Sequence, residues 1–293
     1  MFTKFLDPKN DFAFKRIFGT ERNKDILIHF LNDMITFREK APIREVSFIK
    51  TVQDPEIAAQ KTSLVDILCR DENGHQYIVE MQVAKERGFE KRAQYYASKA
   101  YISQACAGDA YDDLKEVIFL AITNFVMFPE KKKYKSDHVI LDKDSHENDL
   151  KGFSFTFLEL PKFNKNINEL NNIVEKWMYF FKNAKETSEK DLPKIIGQDE
   201  IIERAYEELN RCSWNEIEFR TYEQEEKYEW SHRGVMAAQF DEGLEKGREE
   251  GIKEGIKKEK RHTAKTMFLK GIDVETIAEI TGLSKEEIGK LFT

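Results

Sequence analysis

Two acids interrupt an otherwise apolar stretch, SLVDILCRDENGHQYIVEMQV at 63–83: Asp66 sits among Leu64, Val65, Ile67 and Leu68, and Glu80 among Ile78, Val79 and Met81. Asn73-Gly74 between them is a strong hairpin-turn signal, so the two runs are expected to be antiparallel strands. Period-two alternation would put Val65 and Ile67 on one face with Asp66 opposite, and Glu80 and Gln82 on a face opposite Val79 and Met81. Asp66, Glu80 and Gln82 can then converge. Two carboxylates sharing a partly buried site repel, and either a proton or a divalent cation relieves the repulsion. Hard oxygen donors suit Mg²⁺ or Mn²⁺, and the chemistry implied is attack of water on a phosphodiester. The pattern alone fits equally well two acids facing solvent from a half-exposed sheet.

The elements that would position these residues follow from periodicity. Phe12, Phe14, Ile17 and Phe18, then Ile26, Leu27, Phe30, Leu31 and Met34, mark two helical segments broken near Gly19. IREVSFIKTVQ alternates as a strand, and EVIFLAIT is continuously apolar, as in a strand covered on both faces. Between the hairpin and EVIFLAIT a helix runs from about Glu86 to Ala107, with Phe89, Ala93, Tyr96 and Ala100 along one face. HVILD and GFSFTFLEL are further strands, and INELNNIVEKWMYFFKNA is a closing helix.

An acid in one strand, a turn, then an acid-x-polar triplet in the next, with a helix on either side, resembles the PD-(D/E)XK nuclease superfamily. The triplet here is Glu80-Met81-Gln82. More narrowly, NDFAFKRIFG, VDILCRDENGHQYIVEMQ and RAQYYASKAYISQ resemble the recombination-promoting nuclease and transposase family, Rpn, over about residues 7 to 240 and into the glycine-rich tail. The resemblance implies an α/β core, a mixed central sheet flanked by helices, with a helical C-terminal extension. It also implies a Mg²⁺-dependent DNA endonuclease, with Mn²⁺ or Ca²⁺ as other ions, acting in recombination, mobile DNA or phage defence. By position, Asp66 and Glu80 would be metal ligands and the Met81 carbonyl a third oxygen donor.

Gln82 occupies the place where much of the superfamily has Lys. An amide can orient water or a phosphate oxygen, but it carries no positive charge. Lys15 or Lys85 would supply the missing cation. Asp11, one helical turn before Lys15, would be the accessory acid that the first helix contributes in some members; it reads equally well as a helix-start acid paired with Lys15. Arg92, Tyr95 and Lys99 would touch DNA, Arg92 through a phosphate and Tyr95 by stacking, although a solvated helix face explains the same charges. The main rival is an inactive nuclease-fold protein that binds DNA or a partner, and a third reading is an RNA-directed toxin.

Four segments are expected: a nuclease core at 1–185, an acidic helical appendage at 186–240, a helix at 241–262 and a small helix-turn-helix-like tail at 263–293. Gly243, Gly247, Gly251 and Gly255 recur every fourth residue, and each destabilises a helix by about 1 kcal/mol relative to Ala. A close helix–helix contact, as in a homodimer, would offset that; a flexible low-complexity helix is the alternative. Ser284 and Glu287 form a capping box, but Glu286 and Glu287 make the last helix a poor surface for a DNA groove, which favours a structural hairpin.

The net charge of −7 confines any nucleic-acid contact to a local basic surface. Cys69, Cys106 and Cys212 are too widely spaced for a disulfide framework, and no apolar run is long enough for a membrane span. A cytoplasmic protein with no membrane partner is expected.

Overall fold

The computed structural model describes residues 3–36, 41–49, 52–53, 63–106, 108 and 110–291, so the part of IREVSFIKTVQ at 50–51 and Ala107 lie outside the described residues. The chain forms two compact units, Met1–Glu226 and Lys227–Thr293.

In the first unit, α1 (Asp11–Phe18) starts where Asn10 accepts the Ala13 N–H at 3.1 Å. It stops at Gly19, where a β-carbon would meet the Lys15 carbonyl oxygen at 2.8 Å. Helix α2 (Lys24–Met34) then buries Ile26, Leu27, Phe30, Leu31 and Met34, the three- and four-residue spacing read from the sequence. Six strands form a mixed sheet in the order β1-β4-β5-β6-β8-β7. These are β1 (Val46–Phe48), β4 (Ile67–Asp71), β5 (Gln76–Gln82), β6 (Val117–Thr123), β7 (Lys135–Val139) and β8 (Phe153–Glu159). Only β5–β6 and β6–β8 are parallel. Central β6 is buried at every position, as its unbroken apolar run predicts. Ile118, Leu120 and Ile122 face one apolar cluster, and Val117, Phe119 and Ala121 the other.

The second of these clusters is covered by α3 (Phe89–Ile102), through Phe89, Ala93, Tyr96, Ala97 and Ala100. The first is larger and aromatic. Phe18, Phe30, Trp177 and Phe181 pack with centroids 5.1 to 6.3 Å apart, and the Trp177 indole donates to Asp33 at 2.8 Å. Trp177 and Phe181 come from α4 (Ile173–Asn183), the closing helix.

Three expectations are corrected. SLVDILCRD is not one strand: β3 (Ser63–Leu64) pairs with β2 (Val52–Gln53) in a separate ribbon, and a bend at Asp66 precedes β4. Val65 and Ile67 therefore join different clusters instead of one face. In HVILD the strand ends at Val139, opposite Ser154, and Ile140 and Leu141 continue beyond it, exposed. The acidic composition after 185 marks a solvated helix face and not the end of the core. Helices α5 (Leu192–Ile196) and α6 (Glu200–Leu209) bury Ile195, Ile202, Ala205, Tyr206 and Leu209 in the first cluster. The N-terminal segment also closes on this region: Leu6 N–H donates to the Leu209 carbonyl, and Arg211 N–H to that of Lys4, both at 2.9 Å. Buried Arg16 adds ion pairs to Glu208 (3.2 Å) and Glu218 (2.6 Å) and lies 4.4 Å from the Trp214 ring centroid.

Helix α7 (Glu216–Leu269) begins in the first unit and continues into the second, where α8 (Val274–Thr281) and α9 (Lys285–Gly289) follow. There Ala264, Ile277, Leu283 and Ile288 form a small core. Gly282 ends α8 with φ +69°, and the capping box of Ser284 and Glu287 starts α9. Among the described residues no helix is long and apolar enough to cross a membrane.

The hairpin that carries the two acids is pinned at its turn. Asp71 accepts the N–H groups of Asn73 and His75 at 2.9 Å and the Tyr77 hydroxyl at 2.9 Å, and its Oδ2 lies 3.1 Å from His75 Nδ1. Burial works against the charged form, but the hydrogen bonds from His75, Tyr77 and Asn73 prevail and hold this carboxyl below its ordinary value of 3.8. A depressed acid stabilises the fold above its unfolded value and loses that contribution as pH falls through its folded value. Asp71→Asn should therefore destabilise by about 2 kcal/mol in urea unfolding at neutral pH. The gap from wild type should close as pH drops below 3.8.

Candidate active site

The register Ile67↔Val79 places Asp66 directly opposite Glu80. The two residues are linked reciprocally. Asp66 N–H donates to Glu80 Oε1 at 3.3 Å, and Met81 N–H donates to Asp66 Oδ2 at 2.9 Å. Neither carboxylate can turn away without breaking a backbone contact. Glu80 is only 5% exposed, and the Asp66 side chain 18%. In an extended strand a residue's N–H and C=O point to the same edge, so the Met81 carbonyl lies on the Asp66 side of β5.

Helix α1 brings the cation. Lys15 Nζ lies 2.8 Å from Asp11 and 3.8 Å from Asp66 Oδ1. Burial lowers the Lys15 pKa, but the hydrogen bond to Asp11 and the charges of Asp11, Asp66 and Glu80 outweigh it and raise the value. The Asp66 carboxyl is pushed up by burial and then by Asp11, and that of Glu80 by burial and then by Asp66, with Arg92 and Lys15 opposing.

Charge matching separates this pair from the other buried acid on the same sheet edge. Glu159 aligns with Gln82 through Thr123, but Lys162 pairs with it at 2.6 Å and the N–H groups of Met127 and Phe128 bond to it at 2.6 and 3.0 Å. Among the described residues Glu80 has no ion pair within 4.0 Å. The donor set, two carboxylates and a carbonyl, fits a hard divalent cation, and no group of three or more acid, His or Cys side chains able to hold a metal ion exists among the described residues. The remaining coordination positions would fall to water and substrate oxygens, as Mg²⁺ prefers.

The other expected residues divide. Gln82 leaves the carboxylate pair: its Nε2 donates to the Ala84 carbonyl at 3.0 Å, and its Oε1 accepts from the Arg92 guanidinium. Arg92 is thus adjacent to the site, supported by the rings of Phe89 and Tyr96, with centroids 4.9 and 5.9 Å away. Lys85 is exposed and, among the described residues, forms no ion pair with the carboxylates, so of the two proposed cations the fold delivers only Lys15. Tyr95 and Lys99 lie farther along α3, the ammonium 5.7 Å from the Tyr95 ring, with Tyr95 40% exposed. Glu86, in the β5–α3 loop, ion-pairs with Arg92 and is not among the expected residues. No spacing rule links a loop residue to a helix residue in this way.

The PD-(D/E)XK nuclease family transposase domain matches residues 8–239 of the chain. The chain belongs to this family. The C-terminal helix-turn-helix domain of Rpn/YhgA-like nucleases matches residues 257–293, and a nuclease- or transposase-related function follows from the two matches. Neither a curated protein nor a solved structure matches the chain. Nucleases of this kind generally use divalent metal ions.

Mg²⁺ at about 100 times its dissociation constant should add about 2.7 kcal/mol to wild-type stability, read as a thermal shift, and add nothing to Asp66→Asn or Glu80→Gln. In EDTA the order reverses. Glu80→Gln keeps the acceptor for Asp66 N–H and removes one of two repelling charges, so it should exceed wild type by about 1 kcal/mol.

Proposed function

We propose that the protein is a divalent-metal-dependent DNA endonuclease that hydrolyses phosphodiester bonds. The observation that carries this reading is the reciprocal Asp66–Glu80 pair, a part-buried and a buried carboxylate held face to face with less positive charge than they need. Asp66, Glu80 and the Met81 carbonyl would hold Mg²⁺, or Mn²⁺ or Ca²⁺ in its place. Bound there, the cation would supply positive charge to the scissile phosphate and acidify an attacking water.

The chain's own residues supply the rest. The Lys15 ammonium, anchored by Asp11, brings to Asp66 the charge that Gln82 lacks. Arg92 holds a phosphate of the strand, and Gln82, bonded to Arg92, orients an oxygen of water or phosphate beside Glu80. Tyr95 and Lys99 extend the contact along the strand. DNA is favoured over RNA because one matched family is described as a transposase and the other as a helix-turn-helix domain. Recombination, mobile DNA or phage defence is the setting in this reading, inside a cytoplasm where the free cysteines stay reduced.

The second unit enters as a dimer element. Met236, Phe240, Leu244, Ile252 and Ile256 are exposed at spacings of four or multiples of four along α7, beside Gly243, Gly247, Gly251 and Gly255, where an added β-carbon meets nothing within 4 Å. Pairing with a second copy of this helix would cover the stripe.

Gln82 in the place of Lys favours one rival, a binding protein without turnover. Plasmid cleavage decides between them. Wild type should nick supercoiled DNA with Mg²⁺ and not with EDTA, whereas Asp66→Ala and Glu80→Ala, shown to be folded, should each lose at least about 100-fold in rate. Lys15→Ala should lose about 10- to 100-fold, a loss that Lys15→Arg recovers in part. Folded wild type that binds DNA but leaves it intact with Mg²⁺, Mn²⁺ and Ca²⁺ would establish the binding protein instead.

A further inference from the structure

Arg92 already carries an anion. Its guanidinium is paired with the Glu86 carboxylate and with Gln82 Oε1, and Gln82 Nε2 also reaches Glu86, at 3.4 Å. Among the described residues Arg92 Nε is buried without a hydrogen-bond partner, so the guanidinium has a spare donor. Arginine's planar fork binds carboxylate and phosphate oxygens alike, and Glu86 Oε2 takes one of its two terminal nitrogens while Gln82 Oε1 takes the other.

The two ends of this pair differ in how firmly they are held. Arg92 belongs to α3, its side chain 24% exposed and lying on the rings of Phe89 and Tyr96. Glu86 belongs to the loop joining β5 to α3, its side chain 54% exposed between exposed Lys85 and Arg87. That loop enters α3 through Gly88 at φ +81°, with no side-chain cap bond to hold it and nothing within 4 Å of where a β-carbon would stand. Glu86 can therefore leave while Arg92 stays.

We propose that Glu86 is an internal stand-in for a nucleic-acid phosphate at Arg92, displaced when the strand binds. This rests on the reading of the Asp66–Glu80 site as a nuclease centre. Displacement also frees Gln82. Its amide now has hydrogen bonds to Arg92, Ala84 and Glu86, all on the loop side of the strand, and loss of Glu86 removes one of the two acceptors of its NH₂ group. Glu86 thereby sets the affinity threshold for the strand and couples phosphate arrival at Arg92 to the orientation of Gln82.

The test is a double-mutant cycle on the full chain, read by fluorescence anisotropy of a labelled DNA duplex in EDTA, where no cleavage occurs. Glu86→Gln should bind roughly 2- to 5-fold more tightly than wild type, the range for releasing a solvent-exposed ion pair. Arg92→Ala should bind more weakly, and Glu86→Gln should add nothing in the Arg92→Ala background. A tightening of the same size in both backgrounds would show only the loss of a negative charge near the strand and would overturn the proposal. Equal binding by wild type and Glu86→Gln would overturn it while leaving the nuclease reading intact. No binding by either protein would also overturn it, and the plasmid assay with Mg²⁺ would decide the nuclease reading separately.

Discussion

The first unit is arranged around a repulsion that it does not remove. Asp66 and Glu80 are fixed opposite each other by the β4–β5 register, each tied to the backbone beside the other, in surroundings that disfavour charge on both. Leaving such a pair in place is destabilising unless something else binds there, and the rest of the unit supplies the stability that permits it. The turn at Asp71 holds the hairpin in register, β6 buries its whole length behind it, and the aromatic cluster around Trp177 fixes α1, which carries Lys15.

Much of this was legible in the sequence, for identifiable reasons. The helices around Gly19, the covered strand at Val117–Thr123 and the Asn73-Gly74 turn each follow from a local rule, and each rule held. The bend at Asp66 was not legible. Alternation assumes an unbroken pleat, and Val65 and Ile67 obey it only if no bend lies between them. The acidic helices after 185 misled for a different reason. Composition averages over all faces of a helix, and the buried stripe of α6 needs only Ile202, Ala205, Tyr206 and Leu209.

At the site the sequence offered the residues without their partners. The separation of Asp66 and Glu80 by a hairpin turn predicts their meeting, and Lys15 one turn after Asp11 predicts that ion pair. Which distant lysine would reach Asp66 is decided by how α1 packs on the sheet, a tertiary property that no spacing encodes. The same holds for Arg92 and Gln82, joined only because α3 folds back over the sheet.

Lys4 and Leu6, the backbone just ahead of α1, are hydrogen-bonded to Arg211 and Leu209, and Arg16 within α1 pairs with Glu208 and Glu218. The helix that delivers Asp11 and Lys15 is thus synthesised well before the residues that anchor it. A chain emerging from the ribosome holds every residue of the carboxylate hairpin long before it holds the residues that seat Lys15 beside it. Such long-range closure slows folding, and for a cleaving enzyme it also delays competence until synthesis of the first unit is nearly complete.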